Sequence, residues 1–112
     1  EKLRFYVLIL ANELKPFLEY QKKVIEREFP YSLEKAGCEI ERLTIGEKYM
    51  ELVFLIPVRA DIKQALDKVI NECNQYGNFL SQVFTITNVK ELSAEEVEEI
   101  IKKNGGNSQA SH

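Results

Sequence analysis

The stretch Tyr49-Met50-Glu51-Leu52-Val53-Phe54-Leu55-Ile56-Pro57 is strand-like from end to end and leaves neither of its faces fully polar. Successive side chains of a strand point to opposite faces, so Met50, Leu52, Phe54 and Ile56 share one side and Tyr49, Glu51, Val53 and Leu55 the other. Both sides need cover. A second dense run of aromatic and β-branched residues, Arg4-Phe5-Tyr6-Val7-Leu8-Ile9-Leu10, reads as a central strand buried on both faces. The fold must supply apolar helix faces above and below these two strands.

From Leu14 the spacing turns helical, with Leu14, Phe17, Leu18, Val24, Ile25 and Phe29 inward and Glu19, Lys22, Lys23, Glu26 and Arg27 outward. Pro30 is expected to break or kink this helix, and Gly37 to end its continuation. A strand from Cys38 to Ile45 then joins the strand from Tyr49 through the short turn Gly46-Glu47-Lys48, which predicts an antiparallel hairpin. Asp61, with Gln64 three residues on, opens a helix whose stripe is Ile62, Ala65, Leu66, Val69, Ile70, Cys73 and Tyr76, and Gly77 stops it. Phe79 to Thr87 favours extended backbone. Ser93 and Glu96 form a capping box for a last helix through about Lys103, acids early and lysines late as the macrodipole prefers. The order predicts an α+β fold: a ferredoxin-like βαββαβ antiparallel sheet with an additional C-terminal helix. The two βαβ helices cover one face, and Val97, Ile100 and Ile101 of the last helix suit the other. A single domain over 1–104 is expected, with a disordered tail over 105–112, where Gly, Ser, Asn and Gln offer nothing to bury.

Composition narrows the chemistry. The chain has 112 residues and a formal net charge of -3, so no global basic field drives it onto nucleic acid and any such role needs a local patch. Its one histidine is His112, the last residue, which leaves the expected folded part without an imidazole base or ligand. Cys38 and Cys73 form no CxxC pair, so two reduced thiols are expected rather than a metal or redox motif. The run Leu3 to Leu10 is too short to span a bilayer. These features lead us to expect a cytoplasmic location, no membrane association and no cofactor. The scattered glycines make no phosphate loop.

The residues from Tyr49 to Pro57, followed by a helix, a strand and then Asn88-Val89-Lys90-Glu91-Leu92-Ser93 opening a last helix to Asn104, resemble the single-tyrosine, insertion-sequence-200-like transposases of the HUH type. In that family the second hairpin strand carries histidine-hydrophobic-histidine ahead of an apolar run ending in Ile-Pro, and the last helix bears a nucleophilic tyrosine with a glutamine one turn on. The resemblance spans Leu3 to Asn104. It implies that the metal-binding histidine positions fall on Tyr49 and Glu51, the nucleophile on Ile100 and the glutamine on Asn104. Family members cut single-stranded DNA by attack of the tyrosine oxygen on a phosphodiester, with a divalent metal polarising the phosphate. Ile100 has no nucleophilic atom, so the resemblance implies a degenerate member with no catalytic residue, no metal site and that reaction closed to it. The family's dimers imply a homodimer here, and the sheet edge left open by this fold suits one.

Two residue groups carry open alternatives. Tyr49 beside Glu51 is either a recast nucleophile or a buried phenol bonded to a carboxylate. Arg4, Arg42, Lys48, Arg59 and Lys63, several at strand ends, either converge as a groove that tracks phosphates or are ordinary surface charge interleaved with acids. Two functions follow. One is a degenerate transposase-like domain that binds a DNA or RNA hairpin or acts as a regulatory dimer. The other is a ferredoxin-like oligomerisation or small-ligand-binding module with no nucleic-acid role.

Overall fold

In the computed structural model, which describes residues 1–88 and 90–110, the two doubly apolar runs lie side by side at the centre of one sheet. Strand β1 (Lys2–Ala11) pairs antiparallel with β3 (Tyr49–Pro57) along its length, with Tyr6 opposite Val53, Leu8 opposite Glu51 and Leu10 opposite Tyr49. The hairpin partner β2 (Glu39–Ile45) flanks β3, and β4 (Leu80–Thr87) flanks β1, both antiparallel. The sheet order β2-β3-β1-β4 is the ferredoxin-like arrangement, with a C-terminal helix added.

Helix α1 (Glu19–Lys35) and helix α2 (Ile62–Asn74) cover one face. There Val7, Ile9, Met50, Leu52, Phe54 and Ile56 meet Val24, Ile25, Phe29, Leu33, Leu66, Val69, Ile70 and Cys73 in one buried cluster. Each fully buried large side chain in such a cluster contributes about 1.5 to 3 kcal/mol. Helix α3 (Ala94–Ala110) covers the other face, where Val97 is buried against Tyr6, Leu8, Leu10 and Val53 and is flanked by Tyr49, Leu92, Ile100 and Ile101. The last helix therefore packs in cis. Among the described residues no helix is long and apolar enough to cross a membrane.

The capping signals act as the sequence suggests. The Asp61 side chain accepts from the Gln64 N–H at 3.1 Å. Ser93 N–H donates to Glu96 Oε1 at 2.8 Å and Glu96 N–H to Ser93 Oγ at 3.2 Å, a reciprocal capping box. Gly37, at φ +87°, closes α1 in a Schellman turn, with the N–H groups of Gly37 and Cys38 donating to Glu34 O and Leu33 O.

Three boundaries depart from the sequence reading. Helix α1 starts at Glu19 rather than Leu14, because Lys15 precedes Pro16 and takes extended backbone at φ −81°, ψ 132°. A short 3-10 turn, Asn12–Leu14, fills the gap, and Phe17 is buried without being helical. Pro30 lies inside α1, which runs on through it: Phe29 before it and Ser32 and Leu33 after it are all buried, and their burial offsets the lost backbone hydrogen bond. Helix α3 continues past Lys103 to Ala110. Its first extra turn carries Gly105 against the β1–α1 connection, where a Cβ would stand 3.4 Å from Leu14 Cδ1. Ser111 and His112 of the expected tail lie outside the described residues.

Candidate functional site

The face of the sheet beneath α3 is built from alternate residues of three strands. Strand β1 contributes Arg4, Tyr6 and Leu8, β3 contributes Tyr49, Glu51 and Val53, and β2 contributes Arg42, which sits opposite Val53 after an irregularity between Ile40 and Arg42. Tyr6 is 2% exposed. Its hydroxyl donates to Glu51 Oε2 at 2.5 Å, a diagonal pair across the β1–β3 ladder. Burial first, and the bond to Glu51 second, push the Tyr6 phenol far above its ordinary range, so it stays protonated at neutral pH.

The four positions singled out by the resemblance lie on β3 and α3. Tyr49 and Ile100 both flank the cluster under α3. Glu51 is two residues along β3 from Tyr49, on the same face. Asn104 Nδ2 donates to Ile100 O at 2.7 Å, so its amide is bound to the helix's own backbone. The phenol that meets Glu51 is not the expected Tyr49: Glu51 takes the Tyr6 hydroxyl, while the Tyr49 ring lies over Gly46, where an added Cβ would come within 2.6 Å of ring carbons. Among the described residues no three His, Cys, Asp or Glu side chains are grouped as a metal site would require.

The five candidate cations do not form one groove. Arg4 and Arg42 come together, flanking β3 on either side. Arg4 Nε donates to Glu41 at 2.7 Å and Arg4 Nη2 to Glu91 at 3.3 Å, and Arg42 Nη2 donates to the other oxygen of Glu91. Arg42 first, then Arg4, holds the Glu91 carboxyl below the usual carboxylate range. Lys63 pairs with Asp67 one turn along α2 at 3.0 Å. Lys48 sits in the turn before β3, and Arg59 follows its far end beside Val58.

Tyr6, Glu41 and Glu91 are the members of this site that sequence reasoning misses. Tyr6 had a signal, since alternation puts it on the face of Arg4, and pairing β1 with β3 would have brought it to Glu51. Glu91 had none: it lies in the connection between β4 and α3, where neither periodicity nor spacing reports direction.

An α+β sandwich of this order, with a helix closing the second face, defines a ferredoxin-like fold that hosts many unrelated activities. No family signature matches the chain, and no curated protein sequence matches it. Solved structures do. A protein of Deinococcus radiodurans R1 assigned as a transposase is similar with a TM-score of 0.74 at 13% identity, over 92% of this chain and 91% of that one. A REP-associated tyrosine transposase bound to a REP hairpin is similar with a TM-score of 0.65 at 10% identity, over 86% of this chain and 60% of that one. At these identities the likeness is one of fold.

Proposed function

We propose that this chain is a transposase-like domain that has lost strand cleavage and is retained to bind structured single-stranded nucleic acid, a DNA or RNA hairpin. Two points support the reading: the backbone is similar to transposase structures, and the residue to which the resemblance assigns the nucleophile is Ile100, which with Tyr49 borders the cluster between the sheet and α3. An isoleucine cannot attack phosphorus. The positions that the resemblance assigns to the metal ligands fare no better. Tyr49 offers a phenol, and Glu51 offers one carboxylate that already accepts from Tyr6, which does not fit a divalent cation wanting several oxygen ligands. The structural neighbour that is bound to a REP hairpin supports the choice of ligand class. The space between sheet and α3 is filled by Tyr6, Leu8, Leu10, Val53 and Val97, which gives a small-ligand module little to work with.

The dimer and the cytoplasmic location belong to the same proposal. The open edge of β4, where Val83 is 77% exposed, is the surface a second copy would pair with, and analytical ultracentrifugation reads it directly. The function is tested by anisotropy of labelled hairpins at low and moderate salt. Binding that weakens with salt is expected, and no binding even at low salt would overturn the proposal. Incubation with Mg²⁺ or Mn²⁺ should leave the DNA intact. A covalent protein–DNA adduct would show that cleavage survives.

A further inference from the structure

Arg4 and Arg42 approach one carboxylate from opposite sides of β3, and that carboxylate belongs to neither of their strands. Glu91 lies between Thr87, where β4 ends, and Ala94, where α3 begins, so it can withdraw without breaking a strand pair or a helix. All three side chains are open to water: 51% and 48% exposed for the arginines and 35% for Glu91. Exposed ion pairs of this kind contribute little to stability, and a planar guanidinium accepts a carboxylate or a phosphate with the same fork of donors. Arg4 also donates through Nε to Glu41. That bond would keep its guanidinium aimed at the site once Glu91 had left.

We infer that Arg4 and Arg42 form a phosphate-binding pair on the sheet face and that Glu91 occupies it in the free protein, so that a nucleic-acid phosphodiester binds by displacing this carboxylate. The inference rests on the nucleic-acid reading above for its ligand, and on the shared Glu91 for its mechanism. It makes Glu41 a positioning residue for Arg4. The two arginine charges are thereby balanced from within the chain, by Glu91 and Glu41.

The test compares Glu91→Gln with the wild-type protein on the same labelled hairpin. Gln keeps the size of Glu91 and removes its charge, so competition ends while the connection is preserved. Hairpin affinity at low salt should rise about five- to twentyfold, the salt slope should steepen by about 0.7 to 0.9 per phosphate gained, and adding Arg42→Ala should abolish the gain. A second readout uses inorganic phosphate alone, followed through the Arg42 Nε–H resonance. It should respond in Glu91→Gln at concentrations that leave the wild type unchanged. That response, in a protein that binds no hairpin, would uphold the masked anion site and count only against the nucleic-acid reading. A wild type that binds the hairpin as tightly as Glu91→Gln would overturn the inference and leave that reading standing. A gain that survives Arg42→Ala, or the lack of both a hairpin gain and a phosphate response in Glu91→Gln, would also overturn it.

Discussion

Gly46 has no room for a side chain, because the ring of Tyr49 stands where its Cβ would be. Gly46→Ala must push either the ring or the β2–β3 turn aside and should lower stability by about 1 to 3 kcal/mol, read from urea unfolding. Tyr6→Phe acts on the neighbouring pair by leaving the part-buried Glu51 carboxylate without its donor, at a cost of about 1 to 3 kcal/mol. The two proteins should also differ in base. The folded phenol titrates above its unfolded value of about 10, so the Tyr6 bond contributes in full below that pH and is lost as pH rises beyond it. A melting series from pH 8 to 11 should fall for the wild type and stay flatter for Tyr6→Phe; matching slopes would show that Tyr6 does not gate alkaline stability. At this scale the sequence was half legible. Alternation along β3 put Tyr49 and Glu51 on one face, whereas which tyrosine meets Glu51 is a question of cross-strand register, and no single strand contains it.

Among the elements, α1 is the informative one. Its proline is a break by local propensity, and in an isolated peptide it would act as one, costing about 3 kcal/mol. Here Val24, Ile25 and Phe29 before Pro30, and Leu33 after it, are anchored in the same cluster, so packing overrides local propensity. Pro30→Ala should therefore stabilise the protein by about 1 to 2 kcal/mol, the restored hydrogen bond being partly offset by a looser unfolded chain. A lower melting temperature for Pro30→Ala would mean that its ring packs usefully. The strands were more legible than the helix ends, since in Tyr49–Pro57 every residue but Glu51 and Pro57 is an apolar or aromatic one suited to a buried strand. The start of α1 was not: the apolar spacing runs straight through Pro16, and only the backbone restriction on Lys15 marks the true boundary.

For the whole molecule, the deciding fact is that the sheet has two apolar faces and one chain covers both. The second face depends on α3, whose one buried side chain among the described residues is Val97, 4% exposed. Val97→Asp sets an unpaired charge against Leu8 and Val53. It should cost about 3 kcal/mol or more and raise binding of a hydrophobic dye, whereas Glu98→Ala on the same helix should change neither. Fold class was readable because both apolar runs demanded cover and the element order admitted few arrangements. The site was less so, because Arg4, Arg42 and Glu91 are far apart in sequence and meet only once the topology is complete. The same topology bears on synthesis. Strand β1 is made before either of its neighbours, the nearer beginning at Tyr49 and the farther at Leu80. A ribosome adding about 5 to 20 residues per second leaves this apolar strand without its outer neighbour for roughly four to fifteen seconds. During that interval its sequence is a target for chaperones, and α3, which follows β4 in the chain, closes over it later still.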